Sequence, residues 1–443
     1  MTSRSILRYV LSLSTAIMLM ASTYAMAQAG TLDTTFANKG IFLAPTGKTL
    51  VNSVAIQSDG KILVAGTGLV GNPPAFADML FRLNTDGTLD TTFGSSGVAN
   101  ATGFGFFGLA IQSDGKIVTA GTESGGFQLA RFQSNGTLDP SFGNGGLTPF
   151  IVVGGPDGGQ GTPSSGSLAL QSDGKILLVE GSGNPSLMVR YTTSGQLDSS
   201  FGTGGLVNLQ YASPTQIAVQ KNGKILVSSG ASGILGFGNL SPGFPPAAQS
   251  GEVTRYNASG AVDTTFGAAG TAASVASASA LVLQGDGKIV VAGAIISKVN
   301  APLSASDIGF AIIRYNANGM LDKSFGTGGV AATDFGPSAT DSGAFALAIQ
   351  ANGDIVAGGT AGISTAGVFS SPAFGLSRYT SAGVLDTTFG KSGIVITPIG
   401  SNNMPVTSVS ALAIQSDGKI VAIGNNVFDL DFEDGYVVRY LSQ

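Results

Sequence analysis

Apolar and polar residues alternate along this chain in short runs that break at a turn dipeptide and then resume. Val54-Ala55-Ile56-Gln57 meets Asp59-Gly60, and Ile62-Leu63-Val64-Ala65 follows. A period of two marks strands with unlike faces, and a turn dipeptide between two such runs marks a hairpin. The dipeptide is Asp-Gly or Asn-Gly at Gly60, Gly115, Gly174, Gly223, Gly287, Gly353 and Gly418, as a two-residue hairpin with positive φ at both central positions requires. The next strand ends on Arg, as in Met79-Leu80-Phe81-Arg82-Leu83, and a Gly such as Gly87 or Gly136 follows at a fixed offset, marking a turn with a left-handed residue. Leu-Asp-x-x-Phe-Gly then leads into another Gly and a short β-branched run such as Gly393-Ile394-Val395-Ile396. Each unit therefore predicts four strands.

Seven copies at a mean spacing of about 60 residues override the length prior of several domains. They predict an all-β fold: a seven-bladed β-propeller of four-stranded antiparallel blades, a single domain over residues 28–443. The chain opens on Leu32, Asp33, Phe36 and the strand-like Ile41-Phe42-Leu43, yet ends just after Arg439-Tyr440. The last unit thus lacks an outer strand that the first residues can supply. Residues Leu32 to Pro45 are expected to complete the seventh blade and remove the open edge of a linear array. The constant Arg-to-Asp offset suggests that each Arg pairs with the Asp beyond its Gly turn, or with carbonyls of that turn. The pairs are Arg82 with Asp90, Arg131 with Asp139, Arg190 with Asp198, Arg255 with Asp263, Arg314 with Asp322, Arg378 with Asp386, and Arg439 with Asp33 across the join. The repeat Phe residues (Phe36, Phe93 and their equivalents) read as packing between blades, and the Gln before each hairpin (Gln57 to Gln415) as a satisfier of hairpin backbone.

The Asp-Gly hairpin, the Arg-aromatic strand end and the Leu-Asp-x-x-Phe-Gly-x-x-Gly segment resemble the bacterial delta-60 repeat family and, more distantly, the NHL type of propeller repeat. The resemblance spans nearly all of the chain after residue 27. It implies a β-propeller-like fold and carries no general activity. Two departures stand out: Asp354 replaces the Lys after the hairpin Gly, and Ala37 replaces the Gly after Phe.

Connection lengths divide into two classes. The hairpin and the Arg-to-Asp segment keep their lengths, whereas the segment from the Gly taken to end the second strand up to the Arg grows from Gly181–Arg190 to Gly230–Arg255. The link into the next unit varies as well, with a long Gly/Pro/Ser stretch between Thr148 and Ser167. In an antiparallel blade these classes leave opposite ends of the strands, so one face of the ring is constant and the other varies.

Composition narrows the chemistry. Met1 to Ala27 reads as a secretory leader, with Arg4 and Arg8 before an apolar stretch and Ala25-Met26-Ala27 at its end. It predicts export from a bacterial cell to the periplasm or the medium. No later apolar stretch is long enough for a membrane span. With 43% hydrophobic residues, 11% charged residues and a formal net charge of -5, the chain can bury a large core, and it lacks the basic clusters that nucleic acid requires. There is no His and no Cys, which removes Ser-His-Asp and Cys-His constellations, disulfides and imidazole-ligated metals. What remains is carboxylate chemistry or an oxygen-ligated cation. The acids outside the repeat include Asp78, Glu123, Glu180 and Glu252, and Asp429, Asp431 and Glu433 alternate so as to share one side of an extended segment. That spacing suits Ca²⁺ as the one candidate cofactor; a solvated acidic loop is the competing reading. No catalytic residue is assigned.

The expected function is a non-enzymatic, monomeric binding scaffold that takes a protein or glycan on its variable face. The alternatives are a carboxylate- or Ca²⁺-dependent hydrolase or lyase with a site over the central channel, and a structural envelope or matrix component.

Overall fold

The computed structural model describes residues 28–45, 49–70, 75–101, 105–123, 126–152, 166–181, 186–209, 213–230, 251–274, 276–296, 308–335, 342–362, 373–399, 407–428 and 431–443. The expected leader, Met1–Ala27, lies outside the described residues. Among the described residues, twenty-eight strands form seven four-stranded antiparallel sheets. After β1 (Ile41–Leu43), blade I is built from β2 (Thr49–Ile56), β3 (Ile62–Val70), β4 (Ala75–Leu83) and β5 (Val98–Ala99). Blade II holds β6 (Gly105–Ile111), β7 (Ile117–Glu123), β8 (Gly126–Phe132) and β9 (Ile151–Val152); blade III holds β10 (Gly166–Leu170), β11 (Ile176–Glu180), β12 (Leu187–Tyr191) and β13 (Leu206–Asn208). Blade IV holds β14 (Pro214–Val219), β15 (Ile225–Ser229), β16 (Glu252–Tyr256) and β17 (Thr271–Ala273); blade V holds β18 (Ala280–Leu283), β19 (Ile289–Ile296), β20 (Ile308–Tyr315) and β21 (Val330–Thr333). Blade VI holds β22 (Gly343–Ile349), β23 (Ile355–Ala361), β24 (Ala373–Tyr379) and β25 (Ile394–Thr397). Blade VII takes three strands from the end of the chain, β26 (Thr407–Ile414), β27 (Ile420–Phe428) and β28 (Asp431–Tyr440), and its fourth from β1.

The alternation of the strands explains the layering. Because successive side chains point to opposite faces, each middle strand feeds two cores: Ile176 and Leu178 pack toward blade II, Leu177 and Val179 toward blade IV. Every pair of neighbouring blades encloses one such cluster, including blades VII and I, where Val421 and Val437 meet Ile62 and Phe81. The array is therefore a closed seven-bladed propeller. The repeat Phe residues are fully buried in these clusters, each contributing about 1.5 to 3 kcal/mol.

Closure follows from the register. Ile41 pairs with Val438, Phe42 with Val437 and Leu43 with Tyr436, and Asp33 N donates to Arg439 O at 2.9 Å. The turn that would complete blade VII is divided between the two ends of the chain. In blade I, Gly87 N donates to Asn84 O and Asn84 N to Thr88 O; in blade VII, Gly30 N donates to Leu441 O at 2.8 Å and Leu441 N to Thr31 O at 2.9 Å. Residues 28–31 and 441–442 thus build, without a covalent link, a turn that is continuous in the other six blades.

Two local expectations are corrected. Each hairpin is present, but only its Gly has positive φ, +84° at Gly60. Gly60 N donates to Gln57 O at 2.9 Å and Gln57 N to Lys61 O at 2.8 Å, the pattern of a three-residue loop closed by a left-handed Gly rather than a two-residue turn. Asp59 Oδ1 accepts from Lys61 N at 3.1 Å, which keeps the Asp out of the left-handed region. Second, the Gly taken to end the second strand lies inside it in blade I, where β3 continues past Gly66 to Val70. The inner strand bulges opposite it, between Val51 and Ser53, and a Cβ on Gly66 would stand 1.9 Å from Leu50 O. The Gly is required by the bulge and does not mark a strand end.

A circular permutant that joins Ser442 directly to Ala29 and opens the chain between Thr85 and Asp86 only moves the break from one turn to its equivalent. Its circular dichroism spectrum and elution volume are expected to match those of the parent, with a thermal midpoint within a few degrees of it.

Candidate functional site

The constant face carries a repeated arrangement of charged groups, assembled from three fixed positions per blade. The end of the third strand supplies Arg, the segment beyond its Gly turn supplies Asp and Phe, and the hairpin supplies Lys. In blade I, Arg82 Nε stands 2.7 Å from Asp90 Oδ2, Lys61 Nζ lies 2.8 Å from the same oxygen, and the guanidinium sits 4.6 Å above the Phe93 ring. The other carboxylate oxygen is held by Thr92, whose Oγ1 donates to Asp90 Oδ1 at 2.6 Å. The Arg–Asp pair recurs in all seven blades at 2.7 to 2.9 Å, including Arg439 with Asp33 across the join. The guanidinium lies 4.4 to 4.7 Å from the ring each time.

The second half of each guanidinium leaves its own blade. Arg82 Nη1 donates to Ser134 O of blade II at 2.7 Å, Arg131 Nη1 to Thr193 O of blade III at 2.7 Å, and Arg255 Nη1 to Ala317 O of blade V at 2.7 Å. Arg314 reaches Ser381 O of blade VI, and Arg439 reaches Thr85 O of blade I. In blade VI, Arg378 Nη1 donates to Ser442 O at 2.7 Å, so the divided turn serves as the acceptor there. A parallel set of backbone bonds runs beside them, from Gly94 N to Asn135 O at 2.8 Å through Gly390 N to Ala29 O at 2.7 Å. Each Arg therefore links strand, turn and next blade at once, a use of the planar five-donor fork that a Lys could not reproduce.

The Gln residues add to the same pattern. Gln350 Nε2 donates to Gly418 O and Gln415 Nε2 to Gly60 O, both at 3.2 Å, so these amides satisfy the hairpin of the following blade rather than their own. Three features of the belt escaped the sequence reading: the interblade half of each Arg, the Lys-to-Asp contact, and the Tyr hydroxyls. Tyr379 OH lies 2.6 Å from Thr333 Oγ1 and Tyr440 OH 2.8 Å from Thr397 Oγ1, each on the outer strand of the preceding blade. The available signals were the Lys one position after the hairpin Gly in six units and the Tyr directly after Arg in five.

The belt sets the protonation of its carboxylates. At Asp33, burial pushes the acid up, but hydrogen bonds from Thr35 and Lys419 and the charge of Arg439 outweigh it and bring the group down to about 2. Burial is likewise the largest single influence at Asp90 and Asp139 and is overcome by the same kinds of partners. At Asp198 and Asp322 the hydrogen bond from the Ser two residues on leads, and at Asp263 the one from Lys224. All are held below the usual carboxylate range.

One blade departs from the pattern. With Asp354 in place of Lys, Asp386 has Arg378 as its basic partner among the described residues, and its side chain is 15% exposed against 4 to 9% at the other six.

Among the described residues, two further acids lie on different blade interfaces. Glu180 is fully buried and continues the Ile176/Leu178 side of β11 toward blade II; Glu252 continues the Thr254/Tyr256 side of β16 toward blade III. The two do not share a face. Burial pushes the Glu252 acid up, against a hydrogen bond from Ser229. Of the Ca²⁺ candidates, Asp429 lies outside the described residues, as do the side chains of Asp431 and Glu433 on β28. Among the described residues no group of three or more acids is placed to hold a metal ion, and no helix is long and apolar enough to cross a membrane.

A family model described as "Domain of unknown function (DUF5122) beta-propeller" matches residues 57–93, 112–142, 171–201, 284–325 and 350–389. Each match begins at a hairpin Gln and ends at a belt Phe, so the matched unit is the belt-forming part of a blade, and the chain is a propeller-repeat protein. No curated protein matches it. Among solved structures, virginiamycin B lyase from Staphylococcus aureus is 13% identical, with a TM-score of 0.48 over 90% of this chain and 98% of that one. YCF48 bound to D1 peptide is 12% identical, with a TM-score of 0.46 over 95% and 100%. YCF48 from Cyanidioschyzon merolae is 12% identical, with a TM-score of 0.40 over 90% and 98%. Likeness at this level bears on neither activity nor ligand.

Arg131→Met should leave Asp139 buried with Lys116 alone and cost about 3 to 5 kcal/mol, read by chemical denaturation. Asp354→Lys, which restores the missing cation at a partly exposed position, should instead stabilise by about 0.3 to 1 kcal/mol. The pH dependence has a fixed sign. The belt carboxylates are depressed in the folded state, so their contribution is complete above the ordinary value near 3.8 and is lost as pH falls toward about 2 at Asp33. Thermal midpoints should be level from neutral pH down to about 5 and fall steeply below about 4, with a shallower fall for Asp33→Asn.

Proposed function

We propose that the protein is an exported, non-enzymatic scaffold that binds a protein or glycan at the ring face carrying the connections of unequal length. One observation carries this reading: at the opposite face the Arg and Asp of every blade are bonded to each other and to the next blade. Those groups hold the ring, and loops on such a frame are where recognition resides. Within blades the separation in sequence between the end of the second strand and the start of the third runs from two residues in blade II (Glu123 to Gly126) to 22 in blade IV (Ser229 to Glu252), and these strand ends lie away from the belt. Export rests on the leader-like composition of Met1–Ala27. The separation of Glu180 and Glu252 onto different interfaces favours binding over carboxylate-driven hydrolysis, which needs two acids flanking one bond.

Shortening 231–250 and 153–165 to the length of 182–185 should abolish capture of a partner from the envelope fraction of the source organism while circular dichroism and monomeric elution are unchanged. Full capture by the shortened protein would refute the proposal.

A further inference from the structure

The seven blades act as controls for one another, and blades V and VI depart from the rest at three belt-face positions. The residue after the Gly of the third-strand turn is Thr31, Thr88, Thr137, Gln196 or Ala261 in five blades, but Met320 in blade V and Val384 in blade VI. Both are exposed, at 59% and 61%. The third departure is Asp354 at the Lys position. In the other six blades a Lys ammonium sits 2.5 to 3.2 Å from the belt Asp Oδ2. Asp354 instead accepts a hydrogen bond from its neighbour Asn352 Nδ2 at 2.7 Å.

Two of these departures, Val384 and Asp354, share one place. Val384 is two residues from Asp386, and a Cβ on Gly353, beside Asp354, would stand 3.5 Å from Ser381 Cβ in the turn that carries Val384. Blade V is tied to that turn through Arg314 to Ser381 O and through Gly326 N to Ala382 O at 2.8 Å. The result is an exposed Val384 beside a carboxylate whose ammonium partner in every other blade comes from the chain itself, with exposed Met320 at the equivalent position of the neighbouring blade.

We infer that blades V and VI carry a second docking surface, on the belt face, for a protein segment that presents one lysine or arginine among apolar residues. The partner's cation takes the position over Asp386 Oδ2 that Lys61 holds over Asp90, and Asp354 adds a second acceptor. The apolar neighbours cover Met320 and Val384. Charge complementarity selects the cation, and exposed Lys323 and Lys391 on the same two blades exclude a long basic run. This surface is separate from the variable face, so either can fail alone.

The test is selection of a phage-displayed heptapeptide library on the immobilised full-length chain, followed by fluorescence anisotropy with the enriched synthetic peptides. Enrichment of a single Lys or Arg flanked by Leu, Ile, Val or Phe is expected. Asp354→Lys and the pair Met320→Thr with Val384→Thr, all substitutions toward residues found at equivalent positions in other blades, should each weaken binding at least about tenfold. Replacing the peptide Lys with norleucine should do the same. The inference is overturned by the absence of enrichment, by unchanged affinity in Asp354→Lys, or by n-butylamine competing as tightly as the peptide, which would mean a small-amine site. It is also overturned if sedimentation shows a dimer of the wild type that Asp354→Lys dissolves, because the occupant is then a second copy of the chain.

Discussion

A buried guanidinium that is shared between two blades is the constraint on which the ring depends. Arg131 bonds Asp139 in its own blade and Thr193 O in the next while lying 4.4 Å over Phe142. Removing water from such a group is costly unless all of its donors and its charge are answered, and here they are answered only when the neighbouring blade is in place. A hydrophobic cluster alone tolerates sliding. The directional bonds of Arg fix the angle and height at which one blade meets the next, so the Arg residues specify the geometry that the apolar clusters stabilise.

Much of this was legible in the sequence because repetition turns a weak local signal into a strong one. The seven Asp-Gly or Asn-Gly hairpins, the eight-residue offset from Arg82 to Asp90 and its equivalents, and the spare strand at the start that matches the one missing at the end were enough for blade count, strand order and closure. What escaped were properties that a periodic sequence cannot express. The offset between Arg131 and Asp139 is the same whether the guanidinium also reaches forward, backward or nowhere, so the bond to Thr193 O had no signature. The dipeptide Asp59-Gly60 fits either a two-residue or a three-residue loop, and Asp59 Oδ1 bonding to Lys61 N decides between them. Gly66 reads as a strand terminus in one dimension, whereas Leu50 O pressing on it shows a bulge. The side chains that define the variable face are set by segments outside the repeat, where no such averaging helps.

The two faces of the ring illustrate a division of labour. On the belt face the side chains are mostly committed to one another, which is why a change at a single position, Asp354, shows up as a measurable rise in the exposure of Asp386. On the other face, segment length changes from blade to blade without disturbing the belt, because nothing in the Arg–Asp–Phe unit passes through those connections.

The divided turn of blade VII has a mechanical consequence. Gln28 and Gln443 lie at the same end of the antiparallel pair formed by β1 and β28, beside the bridge between Leu32 and Tyr440. Tension applied between these residues would load that pair in peeling geometry, breaking Leu32–Tyr440 before Ile41–Val438 and Leu43–Tyr436 in succession. Once the bonds of residues 28–31 and 441–442 to each other and to blade VI had parted, blades I to V would bear little of the force until the seventh had opened, so the ring would yield at a single seam.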